Sequence, residues 1–309
     1  GIRDGSGLVG SEMCIRDSNI TLHYEVFGDE VAPVILLIMG LGLPASAWPP
    51  KFIEGLVRAG FRVVTFDNRD CGKSTKINED VGFLRVLMSI LKILLHLPVR
   101  APYSLSDMAV DADAVLDEIQ VKRAHVLGIS MGGMIAQVMS LNSPQRVASM
   151  VSIMSASGNP RTGLGKLRAI RAILTKPKNE ESEEAVVEYL KKLTKVISAG
   201  QFSHSEAHLR TVARSMIENH YDSKATSRQL LAILSSGDRS KSLGRIMTPT
   251  LVIHGSLDPL LPLQAGEEVA EGIPNARMIK IDGMGHDLSD EVLPVVLSAV
   301  VKHCHRYKD

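Results

Sequence analysis

Gly128-Ile129-Ser130-Met131-Gly132 is the stretch of this chain best suited to chemistry. It ends the apolar run that starts at Ala124 and leads into Gly133-Met134-Ile135-Ala136-Gln137, which suits a helix. A bare Gly-x-Ser-x-Gly arises in about one random chain in ten at ordinary Gly and Ser frequencies, so its setting decides its value. A serine on a sharp strand-to-helix turn needs small neighbours. Side chains at Gly128 and Gly132 would collide with adjoining backbone. Such a turn pushes the Ser130 hydroxyl into a pocket and aims the first free amides of the helix at the same spot. Those amides, at the positive end of a helix, suit an oxygen that is gaining negative charge.

The rest of the chain supplies a scaffold that could hold this turn. Ile20–Phe27 partly alternates and ends at Gly28-Asp29, as an edge strand and its turn do. Val34–Met39 is apolar throughout, as expected of a parallel strand covered on both faces. A Gly40-Leu41-Gly42 turn follows, then a helix over about 50–59 and a second buried strand, Phe61–Asp67. Residues 105–119 predict a helix capped by Ser104 or Ser106, with Met108, Val115 and Leu116 on its apolar face. Further strands are expected at Val147–Ser155, Thr250–His254 and Ala276–Ile281, with helices near 262–272 and 291–303. This alternation argues for an α/β fold with a doubly wound, mostly parallel sheet. It stops between about 159 and 240, where the chain is helical in character. We read residues 159–240 as a helical cap over the strand ends, and 19–158 with 241–309 as the core.

Composition removes several other readings. The chain has 309 residues, 45% hydrophobic and 22% charged, which is a folding composition and not a disordered one. Lys plus Arg number 35 against 34 Asp plus Glu, a net charge of +1 that gives no support to a nucleic-acid partner. Cys14, Cys71 and Cys304 form no C-x-x-C pair, so neither a disulfide framework nor a thiolate metal cluster is expected. His204, His208 and His220 lack the H-E-x-x-H zinc spacing, and His254, at the end of an apolar strand, reads as structural. Neither a dinucleotide fingerprint nor a phosphate loop is present, so no metal and no organic cofactor are expected.

Two segments need separate treatment. Residues 1–18 contain no continuous apolar run of a signal peptide, and they resemble a translated sequencing contaminant. They are set aside as a non-native or disordered leader that contributes little to the fold, and the location expected is cytoplasmic. Residues 82–98, GFLRVLMSILKILLHLP, are strongly apolar but interrupted by Arg85, Lys92 and His96. The run is too short and too charged to be a transmembrane segment. The plain reading is a helix buried against the cap; the sharper one is a lid or an interface-seeking helix making interfacial contact.

With these features in view, the chain resembles the serine hydrolases of the α/β-hydrolase superfamily over residues 19–309. Within them it is similar to the aclacinomycin methylesterase-like branch. The narrower likeness rests on Leu37-Ile38-Met39-Gly40-Leu41-Gly42, Trp48, Phe66–Ser74 (FDNRDCGKS) and Pro102–Met108 (PYSLSDM). The resemblance implies that Ser130 is the nucleophile, that Asp258 in His254–Pro259 is the triad acid, and that His286 in Gly283–Asp287 is the base. The order Ser, Asp, His agrees with the family order. Independently, Asp258 and His286 lie just beyond predicted parallel strands, where open α/β sheets place ligand sites. Asp287 and Asp290 rank below Asp258 as acids because each lies too near His286 in sequence to support its far nitrogen.

The family also implies an oxyanion hole with one donor from the first loop. Here that loop begins Met39-Gly40 where relatives often have His-Gly, a change of little consequence if the donor is a backbone amide. The Leu41 and Met131 amides are the expected hole, with Gly42 as the alternative. Asp67–Gly72 resembles the family's D-x-R-G-x-G turn, with Asp70 in the place of a glycine, and reads as a structural loop in which Arg69 makes ion pairs. The function implied is hydrolysis of small-molecule carboxylic esters through an acyl-enzyme, by a monomer or homodimer. Thioesterase, lipase or cofactor-free perhydrolase chemistry on the same triad, or a silent binding protein of this fold, are the alternatives.

Overall fold

The computed structural model describes residues 9–15, 20–95, 97–200, 205–219 and 221–308. Its strands are β1 (Val9–Ile15), β2 (Ile20–Phe27), β3 (Val34–Ile38), β4 (Arg62–Phe66), β5 (Ala124–Ile129), β6 (Val147–Ile153), β7 (Thr250–Gly255) and β8 (Arg277–Ile281). They form one sheet in the order β1-β2-β4-β3-β5-β6-β7-β8. β1 pairs antiparallel with β2 and β2 with β4, while every pairing from β4 to β8 is parallel. The expected α/β class with a mostly parallel sheet is therefore what the chain adopts. β1 draws on residues of the segment set aside as a leader: residues 9–15 run along β2, with Val9 opposite Val26 and Ile15 opposite Ile20.

The helices are α1 (Pro50–Arg58), α2 (Phe83–Leu94), α3 (Leu105–Glu118), α4 (Met131–Asn142), α5 (Pro160–Gly163), α6 (Leu167–Ile173), α7 (Glu183–Ile197), α8 (Glu206–Glu218), α9 (Ser223–Ser235), α10 (Leu263–Gly272) and α11 (Leu293–Arg306). Apolar faces of α3, α4 and α10 cover one side of the sheet, through Met108, Ile135 and Val269 among others. Those of α1 and α11 cover the other, through Phe52, Leu56, Val296 and Val300. That double cover explains why β3, β6 and β7 are buried at every position and read as apolar or largely apolar runs. Ser104 closes a capping box at the start of α3, its hydroxyl accepting from the Asp107 amide.

Helices α5 to α9 lie between β6 and β7 in the chain. Val186, Val187 and Leu190 of α7 pack on Leu209, Val212 and Met216 of α8. α2 has one buried and one exposed face. Val86 and Ser89 are buried, and Val86 packs with Leu231 of α9. Leu84, Leu87, Met88 and Leu91 on the other face are exposed. Among the described residues no helix is long and apolar enough to cross a membrane.

Two buried histidines give the core a pH response. His125 in β5 is 2% exposed and His303 in α11 is 1% exposed, and burial pushes each ring down to about 4. The unfolded chain, with rings near 6.5, takes up protons first as the pH falls. Their stabilising contribution is thus complete above about pH 6.5 and is lost as the pH falls toward 4. Each ring should cost about 2 kcal/mol of unfolding free energy between pH 7 and pH 5. Urea unfolding followed at the two pH values measures the drop, which His125→Gln should roughly halve if the two rings act independently.

Candidate active site

The strand order reverses between β3 and β5, so the loops after these strands part and leave a crevice at the carboxyl edge of the sheet. Ser130 stands there, between β5 and α4, with φ +54° and ψ −116°. Few non-glycine residues hold such a backbone, and strain of this kind persists only where the surroundings enforce it. Here the Ser130 amide donates to the Ile153 carbonyl at 2.9 Å, and the Ser155 hydroxyl donates to the Ser130 carbonyl at 2.7 Å. A methyl group on Gly128 would lie 2.1 Å from the Gly132 carbonyl carbon, and one on Gly132 would lie 2.1 Å from the Ile38 oxygen. Both glycines are required by closeness.

Asp258 and His286 come to Ser130 from the loops after β7 and β8. The Ser130 hydroxyl lies 2.9 Å from His286 Nε2, and His286 Nδ1 lies 2.7 Å from Asp258 Oδ2. The other carboxylate oxygen, Oδ1, accepts from the Leu260 and Leu261 amides, each at 2.8 Å. This turn makes the carboxylate orientation a property of the backbone. The His286 amide donates to the Ile197 carbonyl at 2.7 Å, so the end of α7 fixes the histidine loop. His254 is fully buried beside them. Its Nε2–H donates to the Leu261 carbonyl at 2.8 Å, and burial lowers its proton affinity. It is a structural prop, neutral and 3.5 Å from Asp258 Oδ2. His208 lines the cavity described below, while His204 and His220 lie outside the described residues.

A connection with no warning in the sequence joins α9 to the first loop. Gln229 of α9 is fully buried; its Oε1 accepts from the Gly42 amide and its Nε2 donates to the Arg69 carbonyl, both at 2.8 Å. The Gly42 amide is therefore already engaged. Next to Gln229, Arg228 grips Asp70 with contacts of 2.8 and 3.0 Å. Asp70 also accepts from the Tyr103 hydroxyl at 2.7 Å and the Ile77 amide at 2.8 Å. The residue that departs from the family's glycine keeps the left-handed φ of +67° and uses its carboxylate as a latch for α9. Arg69, as expected, forms a two-pronged pair with Asp111 at 2.6 Å.

Gln229→Leu should therefore loosen the first loop without touching the triad. Deleting an oxyanion donor costs about 10²–10³ in kcat, and loosening one should cost about tenfold, with KM within about twofold. Steady-state kinetics on a soluble ester distinguish this from simple destabilisation, in which the folded fraction would keep the parental kcat.

Ser130 and His286 open into a cavity of about 290 Å³ lined by Met39, Leu41, Met134, Met154, Leu190 and Leu209 among others. It is largely aliphatic, and core loops and α7–α9 line it together.

Comparison with known proteins gives the family. Residues 33–291 match the alpha/beta hydrolase fold family, and the chain belongs to it. It is 29% identical to a rhodomycin D methylesterase from Streptomyces peucetius, over 94% of this chain and 96% of that protein. It is 27% identical to a putative carbamate hydrolase from Variovorax paradoxus, over 86% and 89% of the two chains. A meta-cleavage product hydrolase structure from Pseudomonas fluorescens superposes with a TM-score of 0.74 at 19% identity, covering 96% of this chain and 98% of that one. The narrower likeness to the aclacinomycin methylesterase-like branch agrees with the methylesterase match.

Proposed function

We propose that this chain is a carboxylic ester hydrolase that works through an acyl-enzyme on Ser130. His286 Nε2 takes the Ser130 proton as the hydroxyl oxygen attacks the ester carbonyl, and Asp258 holds the ring with Nδ1–H toward itself and stabilises the cation that forms. The carbonyl oxygen, now negative, is received by the Leu41 and Met131 amides. Collapse breaks the bond to the alcohol, which leaves with the proton from His286. Water then attacks the acyl carbon as it gives a proton to His286, and the bond to Ser130 breaks as its oxygen takes that proton back and the acid leaves.

One observation carries this reading. Three side chains far apart in sequence form a hydrogen-bonded line of 2.9 and 2.7 Å, and backbone amides fix its far end. The cavity's aliphatic lining favours small-molecule esters with an apolar acid part. Relatives named as methylesterases make methyl esters the first form to test.

Mass-resolved labelling with a fluorophosphonate, beside hydrolysis of methyl and p-nitrophenyl esters of graded acyl length, tests the proposal. A single adduct on Ser130 with turnover of soluble esters is expected. A folded protein that neither labels nor turns over any ester would instead be a silent binding protein of this fold.

A further inference from the structure

Among the described residues, the outward face of α2 is left uncovered. Leu84, Leu87, Met88, Leu91 and Leu95 recur at helical spacing along it, between 47% and 69% exposed. Single exposed leucines are ordinary, but a ridge of five on one helix face is not. At the start of this helix lies a second cavity, of about 530 Å³, with Val81, Gly82 and Val86 on one wall and Ile173 to Lys176 on the opposite one. Leu41, Ile173 and Leu230 line both this cavity and the one that holds Ser130. This cavity lies under the buried side of α2, across the helix from the ridge, and shares part of its lining with the cavity that holds the candidate nucleophile.

The opposite wall belongs to the most lopsided charge run of the chain. Residues 161–178 carry six cations and no acid, and Arg168, Arg171, Lys176 and Lys178 are exposed. On the ridge itself Lys92 is exposed as well, while Arg85 is paired with Glu79. An apolar ridge beside a basic segment matches a surface that offers hydrocarbon below and negative charge above. A second copy of the chain fits it less well, because a two-fold contact brings the same cations toward their copies.

We propose that the α2 face and the basic segment 161–178 dock on an anionic lipid surface, and that apolar esters pass from it through the cavity between α2 and α6. Leucine side chains would enter the acyl boundary while the cations meet lipid phosphates. The docking is independent of the chemistry at Ser130; only the route of entry rests on the ester-hydrolase reading.

Cosedimentation of the full chain with vesicles tests the docking. The protein should pellet with phosphatidylcholine–phosphatidylglycerol vesicles, far less with phosphatidylcholine alone, and should be released by salt. A Leu87→Asp, Leu91→Asp double variant should stay in the supernatant while keeping parental turnover of a water-soluble ester, which shows that it is folded. Each cation near an anionic leaflet strengthens binding about fivefold, so Arg168→Gln with Arg171→Gln should weaken it about 25-fold. Ser130→Ala should bind as the parent does, keeping this result separate from the catalytic one. Absence of binding to either vesicle, or binding that survives the two aspartates, overturns the proposal. So does a dimer in solution that the two aspartates abolish, since a second copy would then cover the ridge.

Discussion

Replacing Ser130 by alanine should lower kcat by about a millionfold and leave the fold intact. The size follows from the cooperative use of the line Ser130–His286–Asp258: once the attacking oxygen is gone, neither the histidine nor the carboxylate has anything to activate. Some acceleration over water should survive, because the amide hole and the cavity still bind the ester. The strained turn supplies a second readout. At φ +54° and ψ −116°, alanine is held as awkwardly as serine, whereas glycine is not. Strain of this kind costs about 1–3 kcal/mol, and the greater freedom of an unfolded glycine returns about 1 kcal/mol of it. Ser130→Gly should thus be as inactive as Ser130→Ala yet about 1 kcal/mol more stable than the parent. Hydrolysis assays and urea unfolding on the three proteins check both halves. A glycine variant that is markedly less stable would mean that the elbow is not where the strain resides.

The sequence is legible where one physical demand dominates a segment. β3, β6 and β7 face helices on both sides, so β3 is apolar throughout and the other two are largely so, with small or hydrogen-bonding residues such as Ser149, Ser152 and His254 at the buried exceptions. Gly128 and Gly132 are readable for the same kind of reason, since backbone within 2.1 Å leaves no other residue type. Asp258 and His286 needed the family order as well, because an aspartate or histidine after a strand has many structural uses. What stays hidden is long-range pairing. Arg228 and Asp70 are 158 residues apart, and Gln229 reaches Gly42 across 187. Nothing in a helix reading Ser-Arg-Gln-Leu-Leu says that its polar side is buried. The glycine-to-aspartate departure at position 70 was the one visible signal: an acid at a left-handed turn, inside a family motif, calls for a cation from elsewhere in the fold. β1 carries little signal for another reason, since edge strands are held mainly by backbone bonds and need little from side chains.

Asp258→Asn should lower kcat by about ten-thousandfold, and the reason lies in the two backbone amides behind it. An asparagine at 258 must place its carbonyl oxygen or its amino group where Oδ1 now accepts from Leu260 and Leu261. The amino group would face two donors there and strand both, so the oxygen takes that place. The amino group is then left at the Oδ2 position, 2.7 Å from His286 Nδ1. It can only donate, which requires Nδ1 to give up its proton and Nε2 to carry one. A protonated Nε2 pointed at the Ser130 hydroxyl, 2.9 Å away, can no longer receive the hydroxyl proton. The base is thus lost by a change of tautomer with no change of shape. KM should stay within a few-fold, and nitrogen-15 shifts of the His286 ring should report the proton on Nε2 where the parent carries it on Nδ1. Asp258→Ala separates the two tasks of this side chain: it too should lose activity, but with the Leu260 and Leu261 amides left without their acceptor it should also be less stable, by about 1–3 kcal/mol. An asparagine variant as active as the parent would mean that Asp258 does not set the tautomer of His286.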